Sequence, residues 1–364
     1  MPRVLYLSTD LQRGGLPLRL CRLVLRLREL GVTPIVGCLK GPGPLSEELA
    51  QVGVETFACH GRGGLDVACL WRLARYVRQY DPDLIHASLF HANLAARIVG
   101  RFDRVRPIVT STVTVEIERA THRIGEWAMA GWSDIHVANA EAVAAHLRDD
   151  LAIPSDRIVV ICNGIEVETL SRTAPIDRED FGIPRDVPFI LWAGRMDPVK
   201  DLATFIEAVA MVASRRDVRA VLLGDGPERR RVAALASSSG AADSFVLPGW
   251  SLNVAGWLRA ASCVVLTSRT EGCPNVLLEA MGCHCPVIAS DIPSCRELIR
   301  EGVHGVLSPV GNPGAFATAI DKVLDDPETA RERAAAAYER VCRDFDLGAV
   351  SKTWLGLYDD LLGR

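Results

Sequence analysis

The chain has 364 residues, of which 49% are hydrophobic and 24% charged, and a formal net charge of −4. This ordinary globular composition excludes a disordered chain, the balance of charge gives no case for a nucleic-acid binder, and the length calls for two domains. No apolar run approaches the roughly 18 residues that a membrane span needs.

In chain order, an apolar strand at 4–8 leads into a turn at 10–15 that carries Gly14-Gly15, and a helix follows at 16–30. A strand at 35–39, a short helix at 43–51, a strand at 55–59 and a helix at 65–80 continue the alternation. Then come a strand at 84–87, a helix at 92–100, a strand at 107–111, a helix at 117–129, a strand at 135–139, a helix at 140–149 and a strand at 158–161. This is the opening of a doubly wound α/β unit. The first turn is not a G-x-G-x-x-G fingerprint, and no acidic residue ends the second strand, which disfavours a dinucleotide dehydrogenase. Gly14 and Gly15 either make a tight turn or let a ligand approach the backbone.

Residues 166–186 lack an apolar period and are expected to be a linker. A second α/β series starts at 189, with strands at 189–192, 219–223, 244–247, 263–266, 286–289 and 305–307. Helices lie between them, and further helices close the chain from 313. The expected division is 1–165, linker 166–186, 187–345, and a C-terminal helix at 346–364 that packs back toward the first domain.

The chemistry gathers on the second series. The strand at 263–266 runs into a polar turn with Glu271, Gly272, Cys273 and Pro274, and a helix opens with Asn275 and Val276 and carries Glu279. Pro274 fits a first helical turn. A carboxylate between Leu278 and Ala280 needs a polar partner, which a ligand hydroxyl would supply. Gly194 and Arg195 end another strand, and Lys200 precedes the next helix. Two cations beside a helix N-terminus suit a diphosphate. A loop charge, a solvated helix residue and two surface cations are the ordinary alternatives. Trp250 follows a third strand, where packing is the ordinary role.

Glu271-x7-Glu279 with its Gly-Cys-Pro-Asn-Val-Leu-Leu filling resembles the signature of retaining nucleotide-sugar glycosyltransferases of family 4, and Gly194-Arg195-x4-Lys200 resembles their diphosphate clamp. The resemblance covers nearly the whole chain and implies the GT-B fold, two Rossmann-like domains facing a cleft. It implies transfer of sugar from a UDP- or GDP-linked donor to a hydroxyl. Arg195 and Lys200 would neutralise the departing diphosphate, Glu271 would meet the transferred sugar, Glu279 would hold ribose, and Trp250 would lie where the nucleotide base binds. No metal or other cofactor is implied. The family often has Gly after the Lys, where this chain has Asp201, a departure that adds a negative charge or an N-cap. The family's acceptor-side histidine is missing from Thr112-Val113-Thr114, which leaves His91 and His122 as candidates. A nucleotide-sugar epimerase, a sugar phosphorylase and a non-catalytic nucleotide-sugar binder are the alternatives.

Residues 1–106 hold 15 Lys and Arg against 9 Asp and Glu, while 166–364 hold 22 against 28. A basic first half suits an acidic acceptor or an anionic membrane surface. Arg19, Arg22 and Arg26 recur at helical spacing, as do Arg72 and Arg75. They form either a solvated face or a dock for anionic lipid, where a lipid-linked acceptor in polysaccharide or glycolipid synthesis would lie. The 11 cysteines are an odd number placed mostly in apolar runs, and the start of the chain lacks a signal peptide's pattern. A reducing cytoplasm is the expectation. Cys283-His284-Cys285 lacks a second ligand pair at zinc spacing.

Overall fold

The apolar runs become parallel strands and the stretches between them helices in the computed structural model, which describes residues 1–63, 66–113 and 120–364. The expected helix starts at 65 and 117, and Thr114, lie outside the described residues. The chain forms two units, Met1–Gly164 with Leu347–Arg364, and Ile165–Asp346.

Unit 1 contains β1 (Arg3–Ser8), α1 (Gly15–Glu29), β2 (Thr33–Cys38), α2 (Pro44–Gln51), β3 (Glu55–Ala58), α3 (Val67–Tyr80) and β4 (Leu84–Ser88). It continues with α4 (Phe90–Asp103), β5 (Ile108–Thr112), α5 (Ala120–Met129), β6 (Ile135–Ala138), α6 (Glu141–Asp149) and β7 (Ile158–Val160). Its parallel sheet has the order β3-β2-β1-β4-β5-β6-β7.

Unit 2 contains α7 (Val167–Arg172), β8 (Phe189–Ala193), α8 (Leu202–Ala213), β9 (Arg219–Leu223), α9 (Arg229–Ser238), β10 (Phe245–Gly249) and α10 (Val254–Ala260). It continues with β11 (Cys263–Leu266), α11 (Asn275–Gly282), β12 (Val287–Ser290), α12 (Pro293–Leu298), β13 (Val306–Ser308), α13 (Pro313–Asp325) and α14 (Pro327–Asp344). Its sheet order is β10-β9-β8-β11-β12-β13. The stretch 166–186 clusters with this unit rather than standing apart as a linker, and α7 packs on α10 and α11.

Strand pleating sends alternate residues of β1 to opposite faces of its sheet. Val4 and Tyr6 join a core with Leu20, Val24 and Leu27 of α1 and with Trp354 and Tyr358 of α15 (Leu347–Leu362). Leu5 and Leu7 join another core with Leu73 and Val77 of α3 and with Ala92, Ala96 and Val99 of α4. So α1 and α15 cover one face and α3 and α4 the other, with α5 packed against α4. Arg19, Arg22 and Arg26 therefore lie on the opposite side of the sheet from Arg72 and Arg75, and the two sets do not share one basic face. Among the described residues no helix is long and apolar enough to cross a membrane.

The helix α15 is held by polar as well as apolar contacts. Buried His86 on β4 stacks on Trp354 with ring centroids 4.5 Å apart. Its Nδ1 lies 2.7 Å from the Tyr358 hydroxyl and its Nε2 2.8 Å from Ser111 Oγ on β5. Burial pushes the His86 imidazole down to about 3, so this histidine is neutral at ordinary pH.

Candidate functional site

Neighbouring strands β8 and β11 lie at the centre of the unit 2 sheet, and the chain leaves them in opposite directions, to β9 and to β12. Such a switch point opens a crevice beyond the carboxyl ends of the strands, where α/β sheets hold ligands. The loop after β8 carries Gly194, Arg195 and Lys200, and the loop after β11 carries Glu271 to Pro274.

These loops are fastened to each other. Thr267 Oγ1 donates to the Lys200 carbonyl at 2.9 Å, and the Arg269 amide donates to the Val199 carbonyl at 2.8 Å. Between them, Lys200 Nζ lies 2.5 Å from Glu271 Oε1, and Ser268 Oγ donates to the same oxygen at 2.6 Å. Both charged side chains are largely buried, at 21% and 11% exposure. Buried charges persist only when paired or hydrogen-bonded, and this pair meets that condition. Burial pushes the nearby Cys295 thiol up, with the Glu271 carboxylate adding to the effect, so Cys295 is no thiolate nucleophile.

Arg195 behaves differently from Lys200. Its guanidinium is 74% exposed, and its Nε lies 3.1 Å from Asp197 Oδ2. The two cations share a loop, but only Lys200 is turned to the paired carboxylate. Behind them the loops after β8 and β9 touch backbone to backbone. A Cβ on Gly224, whose φ is +140°, would stand 1.9 Å from the Gly194 carbonyl oxygen. The Met196 amide donates to the Asp225 carbonyl at 2.8 Å.

On the far side of the loop, Gly272, Cys273 and Pro274 are buried, and α11 starts at Asn275. Pro274 is the residue before the helix rather than part of its first turn, with φ −74° and ψ 96°. Val276 and Glu279 are half-buried on α11. Trp250, just after β10, is an exposed large apolar side chain. His284 stacks on Tyr338, and Cys283 Sγ faces the Leu170 carbonyl.

In unit 1, Gly14 caps α1 in an extended conformation and Gly15 is its first residue. Neither is required by its backbone: a Cβ on Gly15 would meet nothing within 4 Å. His91 is exposed on the first turn of α4, with its ring edge-on to Phe90 and to His122. A small cavity of about 70 Å³ lies at the carboxyl ends of β4 to β7, lined by Arg19, His86, Ser88, Ser111 and Asn139 among others.

The sequence signals missed Ser268, Thr267, the Asp201–Arg269 pair and the His86–Tyr358 contact. Ser268 stands three residues before Glu271 and was open to notice. The others join residues far apart in the chain, which no local spacing announces.

Residues 13–169 match the model of the family described as Glycosyltransferase Family 4, and residues 187–326 match the one described as Glycosyl transferases group 1. D-inositol 3-phosphate glycosyltransferase from Thermobispora bispora is 31% identical over 68% of this chain and 60% of its own length. The chain thus spans under two thirds of that relative. Alpha-D-kanosaminyltransferase from Streptomyces kanamyceticus is 27% identical over 76% of this chain and 75% of its own. Among solved structures, Anabaena HepE in complex with UDP superposes with a TM-score of 0.86 at 22% identity, over 99% of this chain and 100% of that one. Two parallel-sheet Rossmann-like units, and both family matches falling one on each, make this chain a member of glycosyltransferase family 4 with the GT-B fold.

Proposed function

We propose that the protein transfers a sugar from a UDP- or GDP-linked donor to a hydroxyl acceptor, with retention at the anomeric carbon. The observation that carries this reading is the Lys200–Glu271 pair at the switch point of the unit 2 sheet. In this reading the cation meets the departing diphosphate and the carboxylate meets the sugar hydroxyls. In the reaction, the bond between anomeric carbon and phosphate oxygen breaks and its electron pair stays on the diphosphate. Lys200 and Arg195 stabilise that developing charge, usually a large catalytic term. The acceptor oxygen bonds to the carbon on the face the diphosphate leaves, and its proton passes to the departing phosphate or to a base such as His91. Glu271, steadied by Ser268, orients the sugar, and Glu279 holds ribose. The backbone N–H groups of Gly272 and Cys273 before the turn at Pro274, those of Asn275 and Val276 in the first turn of α11, and the uncrowded Gly14-Gly15 are the groups that would meet the donor, with Trp250 beside the base. Two side-chain cations take the part that a metal plays elsewhere, so turnover is expected to survive a chelator.

The test is turnover of UDP-, GDP- and ADP-sugars with and without Lys200→Ala and Arg195→Ala. Each substitution is expected to lower kcat/KM by roughly 10²-fold, the scale of one preorganised donor. Near-normal turnover in Lys200→Ala would overturn the clamp. Product formed without any acceptor would mark an epimerase instead.

We further infer that the acceptor is lipid-linked, as in polysaccharide or glycolipid synthesis, and that contact with anionic lipid is made by the α3–α4–α5 face. Exposed Val67 and Trp71 on α3, Phe102 on α4 and Ile124 and Trp127 on α5 supply apolar anchors there. Arg75, Arg101 and Arg123 stand exposed among them. Helix α1, which carries Arg19, Arg22 and Arg26, lies on the other face of the sheet beside α15 and has no exposed large apolar side chain of this kind.

A further inference from the structure

Asp201 occupies a left-handed backbone conformation, φ 45° and ψ 53°, at the point where the Lys200 loop enters α8. Glycine adopts that conformation freely, and Asn and Asp adopt it more readily than other residues. Gly would serve, and Asn would serve without charge. Asp places a carboxylate one residue from Lys200.

That carboxylate is only 7% exposed. Its Oδ2 accepts from Arg269 Nη2 at 2.8 Å and from Thr204 Oγ1 at 3.0 Å. Arg269 comes from the other loop, one residue after Ser268. A cavity of about 210 Å³ beside the pair is lined by Asp197, Asp201, Glu228, Arg231 and Arg269. Each of its three carboxylates has an arginine: Asp197 has Arg195, Glu228 has Arg231, and Asp201 has Arg269. Of these, Asp201 is the most buried, so it depends most on its partner.

We infer that Arg269 is a positioning residue whose task is to neutralise Asp201 and so keep the Lys200 ammonium available to the donor diphosphate. This rests on the reading of Lys200 given above. Without Arg269, a bare carboxylate stands beside the clamp. Its charge opposes that of the diphosphate, and the Lys200 loop loses one of its fastenings to the loop that carries Glu271. Removing both charges together avoids the repulsion, because Asn keeps the backbone conformation and can accept from Thr204.

The experiment is calorimetric titration of the full chain and of Arg269→Gln, Asp201→Asn and the double variant with UDP and with GDP, beside melting curves. Arg269→Gln is expected to weaken nucleotide binding about tenfold, the scale of leaving one buried charge unpaired after partial screening. The double variant is expected to return to within about threefold of the parent, a non-additivity that neighbours in one ion pair show. If the double variant binds as weakly as Arg269→Gln, Arg269 touches the nucleotide itself and the inference is wrong. If Arg269→Gln binds like the parent, the pair has no bearing on the donor and the inference is equally wrong. Should the parent bind neither nucleotide, the proposed function is what fails. The tie is then judged by melting: a loss in Arg269→Gln that the double variant recovers supports it, and equal melting of all forms overturns it.

Discussion

Glu271 and Glu279 sit in different chemical settings, and their substitutions should differ in kind. Glu271 lies between Lys200 and Ser268. Glu279 lies half-buried on α11, where its charge adds to the burial that pushes the Cys283 thiol up to about 12. If Glu279 holds ribose, Glu279→Gln weakens donor sugar and free nucleoside diphosphate alike, since both carry that ring. If Glu271 meets the transferred sugar, Glu271→Gln spares the nucleoside diphosphate and falls on turnover. Each loss should be on the order of 10- to 100-fold, from about 1.5–3 kcal/mol per hydrogen bond to a charged group. Titration of both variants with nucleoside diphosphate decides it; equal losses of affinity would end this division of roles. That Lys200 and Glu271 stand in loops after neighbouring strands was legible, because their spacing and flanking strands are local. That Lys200 would turn to Glu271 rather than stand beside Arg195 was not, because the pairing joins loops about 70 residues apart.

At the scale of elements, the alternation of apolar runs and helical periods located the strands of both sheets. Residues 166–186 were less readable. Helix α7 has only six residues and buries Val167 alone, too short a stretch to show a period. The return of the last helix to the first domain was expected, but the polar contact that fixes α15 was hidden, since it depends on a histidine in β4 whose partner lies far along the chain. That histidine has a consequence for pH. His86 is pushed from the usual 6.5 to about 3, and His136 to about 4, in both cases mainly by burial. As pH falls below 6.5, the unfolded chain takes up protons that the native state refuses. Stability present above pH 6.5 is therefore lost on acidification, by about 1.4 kcal/mol per pH unit for each histidine. Urea midpoints between pH 7.5 and 4.5 should fall accordingly, and His86→Gln should roughly halve the slope. A slope unchanged in that variant would show that His86 titrates normally.

For the whole molecule, the lipid reading makes a claim about faces. Substituting Trp71 and Trp127 by Ser together should abolish sedimentation with anionic vesicles, while exchange of Arg22 and Arg26 for Gln should leave it nearly intact. High salt should weaken the parent's binding, as exposed charges are screened. Equal binding of parent and Trp variant, or loss only in the α1 variant, would refute the α3–α4–α5 assignment. The division into units has a different consequence, for the order in which the chain can fold during synthesis. Unit 2 is continuous, whereas unit 1 needs Leu347–Arg364 to complete the core around Tyr6 and His86. Domains fold as units while the chain is made. On the ribosome, the unit that is second in sequence is thus the first able to finish. Residues 1–164 must wait through the translation of the whole of unit 2 with the Tyr6 side of their sheet uncovered where Trp354 and Tyr358 will lie, a long exposure of apolar surface that a chaperone would be expected to shield.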